Sequence, residues 1–171
     1  YVKELKSLHT NMASAAVEHN RQLADSGFML TNDTRNPMKI PSQQALVPDL
    51  DFAPLDSATA ALTRAAQRYQ SAFDKSMDGS ATASFIKLNA DLLQSERAFL
   101  SPAGLPHRPW FKHLLYAPGY YTGYGVKTIP GVREAIEQKE WPLATTEIGR
   151  VSAALNAEAS LIDRAAGELS H

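Results

Sequence analysis

NADLLQSERAFLSPAGLPHRPWFKHLLYAPGYYTGYGVKTIPG, residues 89–131, is the stretch on which the reading of this chain turns. Leu92, Leu93, Phe99 and Leu100 set an apolar face around Ser95, Glu96 and Arg97, so the stretch begins as helix. The helix is expected to run to Ser101 and stop at Pro102, because proline has no amide donor and disfavours helical geometry in the residue before it. Beyond it come four more prolines (Pro106, Pro109, Pro118, Pro130), six aromatic residues (Trp110, Phe111, Tyr116, Tyr120, Tyr121, Tyr124) and four glycines before Gly131. A structureless loop longer than about 15 residues is as a rule functional or disordered. Disordered segments are poor in aromatic residues, so the composition favours order. The expectation is an irregular but ordered excursion held by buried rings, with Trp110 and Leu114 as core anchors and Arg108 and Lys112 as solvated neighbours. Function is expected to lie on it.

On the N-terminal side of this stretch, Val2, Leu5, Leu8, Met12, Ala15/Ala16, His19 and Leu23 recur at spacings of three and four, one face of an amphipathic helix ending near Gly27. Residues 28–55 carry Pro37, Pro41, Pro48 and Pro54, too many breakers for a helix, yet enough apolar residues to wrap over other elements. Asp56-Ser57 offers an N-cap to a second helix striped by Ala58, Leu62, Ala65, Tyr69, Ala72/Phe73 and Met77, which Asp78-Gly79 stops. Ser80 or Thr82 caps a third, with Phe85, Leu88, Leu92 and Phe99 inward. On the C-terminal side, residues 131–138 form a short helix, and Trp141-Pro142 opens a last one striped by Ile148, Val151, Leu155, Ala159, Ile162, Ala166 and Leu169. Together these predict an all-α fold: an up-and-down four-helix bundle with a long ordered irregular insertion between the third and fourth helices.

The 171 residues fit a single domain, 1–171, able to bury about 70% of its unfolded surface. Seventeen basic residues against 18 acidic ones leave a net charge of −1, which speaks against nucleic acid as a partner. No apolar run is long enough to span a bilayer, so no membrane contact is expected from this segment. Without cysteine there is neither disulfide nor thiolate metal site, and the compartment stays open. The chain starts at Tyr1 on a helical pattern and is expected to be a piece of a longer protein. Asn32-Asp33-Thr34 fits a glycosylation sequon. His9, His19, His107, His113 and His171 show no ligand spacing, and no nucleophile elbow, P-loop or complete dinucleotide fingerprint occurs. No catalytic or metal-binding residue is therefore assigned in this chain.

ERAFLSPAGLPHRPWFKHLLYAP (residues 96–118), with Tyr124 and Ile129-Pro130-Gly131 following at ungapped spacing, resembles the C-terminal helical domain of the glutamate carboxypeptidase II and transferrin receptor family. The clear part covers roughly residues 85–136. The resemblance implies a dimerisation domain, one of three, beside a zinc-dependent peptidase domain and an apical, protease-associated domain. It implies three kinds of partner: a second copy of the chain, those upstream domains, and a peptide substrate. Zinc is expected in the peptidase domain alone, and the location is expected to be extracytoplasmic. In glutamate-selective relatives a Lys-Tyr pair of this loop binds the terminal residue of the substrate. By ungapped counting from Tyr116 the tyrosine falls on Tyr124, whereas the lysine falls on Gly123, with Lys127 three residues beyond the tyrosine as a second candidate. The glycine removes a charge-assisted contact worth about 1.5–3 kcal/mol, so recognition of an acidic terminus is in doubt. The first and last helices, with Ala153, Ala154 and Ala157, are the expected dimer faces. The transferrin receptor branch implies an alternative, a non-catalytic receptor-like or adaptor protein that uses the same domain for dimerisation and binding.

Overall fold

The computed structural model describes residues 1–26, 35, 41–77 and 85–169, with Phe85 described by its backbone alone. These residues form α1 (Val2–Asp25), α2 (Ala53–Lys75), α3 (Phe85–Leu92), β1 (Tyr116–Pro118), β2 (Val126–Thr128), α4 (Pro130–Glu137) and α5 (Trp141–Glu168). The fold is mainly α-helical, with one small two-stranded sheet that the all-α expectation lacked. Gly27, the sequon at Asn32 and the expected turn and caps at 78–82 lie outside the described residues.

Two compact units result, Lys3–Leu50 and the remainder. In the first, α1 buries Leu5 and Ala16 from its apolar stripe, while Ala15 is exposed. The extended segment 41–50 runs back along the helix. Asn20 mimics a peptide unit there: its side-chain amide donates to the Gln44 carbonyl at 2.9 Å and its oxygen accepts the Gln44 N–H at 2.8 Å. Nearer the start of α1, the ring of His9 meets the Pro48 carbonyl at 2.8 Å. Of the proline-rich stretch, residues 41–50 lie along α1, where His9 serves the packing structurally; residues 28–34 and 36–40 lie outside the described residues.

In the second unit α5 is the spine. Its apolar face is buried at Ile148, Val151, Leu155, Ala159, Ala166 and, just past the helix, Leu169. α2, α3 and α4 all pack on it. α2 starts at Ala53, earlier than Asp56-Ser57 suggests, because Asp51 accepts the Ala53 N–H at 2.8 Å and Pro54 carries a φ already suited to the first turn. From α2, Leu55, Ala58 and Ala65 are buried, and full burial of a side chain like Leu55 contributes about 1.5–3 kcal/mol. α3 contributes Leu88 to a cluster with Ala165 and Leu169, on which Tyr69, Ala72 and Leu92 pack. Lys87 pairs with Glu168 at 2.8 Å, and Ser95 binds Glu158, so this part of the chain runs opposite to α5.

The expected continuous helix to Ser101 is broken. α3 ends at Leu92, the Gln94 and Ser95 amides tighten onto carbonyls three residues back, and a short 3-10 turn covers Glu96–Phe99. The pull of Ser95 toward buried Glu158 offers the physical reason. Among the described residues, then, three helices are long and α3 spans 8 residues.

Candidate functional site: a hairpin on a buried charged base

The excursion between Leu100 and Ile129 is less irregular than its composition suggests. Tyr116, Ala117 and Pro118 pair antiparallel with Thr128, Lys127 and Val126. The Gly119 N–H donates to the Gly125 carbonyl at 2.8 Å, closing a tip of residues 119–125. Gly119 suits this turn because a Cβ there would lie 2.2 Å from the Thr122 hydroxyl and 3.1 Å from the Lys127 stem.

Beneath the hairpin, residues 99–114 fold into a tight loop. The Ser101 N–H donates to the Lys112 carbonyl, the Leu105 N–H to the Phe111 carbonyl and the Leu114 N–H to the Phe99 carbonyl, each at 2.9 Å. Gly104 sits at φ +70°, where a Cβ would meet the Pro109 carbonyl oxygen at 2.2 Å. No other residue type fits that crossing without moving backbone.

Two charged pairs fix this assembly to the helices. Arg108, 2% exposed, donates to Glu134 of α4 at 2.8 Å, and the other oxygen of Glu134 accepts the Tyr120 N–H at 2.7 Å. The Arg108 guanidinium also lies 5.6 Å from the Phe111 ring centre and 5.7 Å from that of Tyr120. From α5, buried Glu147 holds Arg150 at 2.5 Å, and Arg150 donates to the Ser101 hydroxyl and the Gly104 carbonyl, both at 2.7 Å. Gly131 completes the base: a Cβ there would sit 2.3 Å from Glu147 Oε2, so a larger residue would have to displace that carboxylate. Before it, Ile129 turns the chain from β2 into α4 at φ +46°, a conformation that costs a β-branched residue energy and persists because its side chain is buried.

This base corrects the sequence reading. The excursion is held by backbone ladders and buried charges, and its rings are largely free. Trp110 is 69% exposed, and Tyr116, Tyr120 and Tyr121 are exposed as well. Leu114 is buried as expected, but Arg108, read as a solvated neighbour, is among the most buried charges described. Arg108 was misread, and Glu134, Glu147 and Arg150 escaped notice, because a buried and a solvated charge look alike in sequence.

The candidate residues fall into two groups. Tyr124, at 103% exposure, projects from the hairpin tip with its whole side chain in solvent. Gly123 beside it adopts φ +64° with open space where a Cβ would stand. Lys127 lies lower, on β2, with its ammonium paired to Glu137 and its side chain only 18% exposed. The structure therefore presents Tyr124 and ties Lys127 down.

A third cluster flanks the root of β1. The Tyr116 hydroxyl donates to Glu96 at 2.5 Å, which raises its pKa, and the Tyr116 ring stacks on His113 with centres 3.9 Å apart. The Leu115 N–H donates to His113 Nδ1 at 3.2 Å, so that nitrogen carries no proton. Burial pushes the His113 pKa below its usual value, although Glu96, 3.5 Å from Nε2, pulls the other way. As pH falls through about 6.5 the unfolded chain takes up this proton first. The stability contributed by neutral His113 is complete above that pH and declines as pH drops toward the lowered folded-state value. Urea midpoints measured from pH 7.5 to 5.5 are expected to fall more steeply for the natural chain than for His113→Leu. Equal slopes would remove His113 from this role.

Among the described residues, no group of three or more His, Cys, Asp or Glu side chains could hold a metal ion, and no helix is long and apolar enough to cross a membrane.

The described residues define the class of this chain as a mainly α-helical domain carrying one anchored, aromatic-tipped hairpin. Residues 50–163 match the profile of the transferrin receptor-like dimerisation domain, and the chain belongs to that family. It is similar to a probable glutamate carboxypeptidase of Arabidopsis thaliana, with 41% identity over 83 residues, 44% of this chain and 12% of that protein. A probable glutamate carboxypeptidase of Arthroderma benhamiae shares 33% identity over 116 residues, 67% of this chain and 16% of the relative. A Schizosaccharomyces pombe relative, 35% identical over 68 residues (40% of this chain, 8% of that protein), is named an inactive zinc metalloprotease. The chain thus spans well under a fifth of the length of these relatives.

Proposed function

We propose that residues 1–171 serve as the dimerisation domain of a glutamate carboxypeptidase-like zinc exopeptidase, and that the 116–127 hairpin closes one wall of the parent's substrate pocket. In this reading the zinc and the catalytic base belong to a peptidase domain elsewhere in the parent, whose other partners are an apical domain, a second copy and a peptide. The setting is extracytoplasmic. The four-helix bundle expected from the stripes belongs to the same reading, with the packing of α2 and α3 on α5 in its support.

The single observation that carries the pocket role is Tyr124. A fully solvated ring held on a hairpin whose base is anchored by Arg108–Glu134 contributes nothing to the packing of this chain, so its position calls for an outside partner. A phenol hydroxyl can donate to the main-chain carboxylate of a peptide. Losing a hydrogen bond to a charged group costs about 1.5–3 kcal/mol, so Tyr124→Phe in the full-length parent is expected to lower kcat/KM roughly 10- to 150-fold. Lys127→Ala is expected to change it little, because the ammonium already has Glu137 as its partner. Unchanged kinetics in Tyr124→Phe would return the hairpin to a purely structural part.

A second reading keeps the dimerisation and drops the catalysis. Two observations favour it: an inactive zinc metalloprotease stands among the relatives, and Gly123 supplies no side chain where glutamate-selective proteins of the resembled family carry lysine. Peptide hydrolysis by the zinc-loaded parent separates the two.

A further inference from the structure

Beside the hairpin tip lies a pocket of about 280 Å³, lined by Arg108, Trp110, Phe111, Pro118, Tyr120 and Gly123. Its size is near the lower end of ligand-binding clefts, roughly 300–1,000 Å³, and suits one side chain better than an extended molecule. Three aromatic rings and a proline form its walls. The charges around it are already matched. Arg108 is paired with Glu134 inside the protein, Lys127 with Glu137, and His107, whose ring centre is 6.0 Å from that of Tyr120, has Glu140 at 3.4 Å. Of the cations nearby in sequence, Lys112 donates to the Pro102 carbonyl and Arg133 to Thr128.

A carboxylate entering this pocket would lose its water, and the two cations closest to its walls, Arg108 and Lys127, already have Glu134 and Glu137 as partners. Burying such a charge without a free counterion is costly. An aromatic side chain loses no such solvation and gains contact with the exposed Trp110 and Tyr120 rings.

We propose that this pocket receives the C-terminal side chain of the bound peptide and selects an uncharged aromatic residue over glutamate. The inference rests on the pocket role of the hairpin given above and adds the substrate class. Gly123 connects the two, since it lines the pocket and neighbours Tyr124.

The test uses the zinc-loaded full-length parent and peptides identical except for a terminal Phe, Tyr, Ala or Glu. Phe and Tyr are expected to exceed Glu in kcat/KM by about tenfold or more, the discrimination typical of an apolar pocket. Trp110→Ala, at a side chain that is mostly solvated here, is expected to lower the Phe-to-Ala ratio about fivefold. Gly123→Lys is expected to shift the Phe-to-Glu ratio toward Glu by about tenfold, as a restored charge-assisted contact should. Preference of the natural parent for Glu, or an unchanged Phe-to-Ala ratio in Trp110→Ala, overturns the inference. Tyr124→Phe on the same peptides keeps the two ideas apart. A loss on every peptide combined with Glu preference sinks only the aromatic selection. No effect of Tyr124→Phe, or no cleavage of any peptide, sinks the pocket role and this inference with it.

Discussion

Glu134→Ala is expected to destabilise the chain by about 3–5 kcal/mol, the usual cost of leaving one partner of a buried ion pair without the other. Arg108 and Glu134 have side chains only 3% and 10% exposed, so water cannot take over the lost contact. The same carboxylate also holds the Tyr120 N–H, and removing it leaves a second donor unsatisfied. For a chain of this length each kcal/mol moves Tm by roughly 2–4 °C, which places the expected drop near 6–20 °C. The double variant Arg108→Met/Glu134→Leu is expected to regain much of the stability, because it leaves no orphan charge. It should not regain slow amide exchange across residues 116–128, since the Tyr120 N–H still has no acceptor. Urea denaturation measures the first effect and hydrogen exchange the second. A loss below about 1 kcal/mol for Glu134→Ala would mean that the pair is an ornament of the loop and not its anchor.

The second large effect concerns self-association, which membership of a dimerisation family implies. α5 buries one face and leaves Gly149, Ala153, Ala157 and Ser160 exposed on the other, a run of small side chains that allows close approach of a second backbone. Ala154, grouped with them in the sequence reading, is buried within the chain and has no part in that surface. Obligate interfaces bury upward of about 2,000 Å² and resemble a divided core, and a two-fold contact uses the same patch on both copies. An arginine at Ala157 would set a bulky charge on this small-residue face of each copy. Ala153→Arg/Ala157→Arg is expected to raise the dimer dissociation constant by about 100-fold or more, the scale of a desolvated, unpaired charge in an interface. Light scattering and sedimentation across micromolar concentrations read this directly. A double variant that dimerises as tightly as the natural chain would move the interface to another face.

The kinetic effect proposed at Tyr124 depends on the first of these features, the hairpin's anchor. A hairpin free to swing would lose the hydroxyl's placement even with the residue intact, since a displacement of about 1 Å can cost two orders of magnitude. Comparison of Glu134→Ala with Tyr124→Phe in the parent therefore separates positioning from contact: the first should raise KM with added disorder of residues 119–125, the second should act with the hairpin still ordered.

Sequence by itself determined the helices whose apolar residues keep a three-four spacing. The α5 stripe from Ile148 to Leu169 was readable to the residue, with only Ile162 less than fully buried, because side-chain period and burial coincide on a helix packed along one side. The proline-fixed start of α5 and the family resemblance were equally local. Tertiary structure alone decided the site. Pairing of Tyr116–Pro118 with Val126–Thr128 depends on contacts across the tip, and three-residue strands carry too little alternation to be seen beforehand. The burial of Arg108 and Glu134 depends on each finding the other 26 positions away. An arginine costs or contributes energy according to its distant counterion, and no neighbour in the chain reports whether that counterion is there.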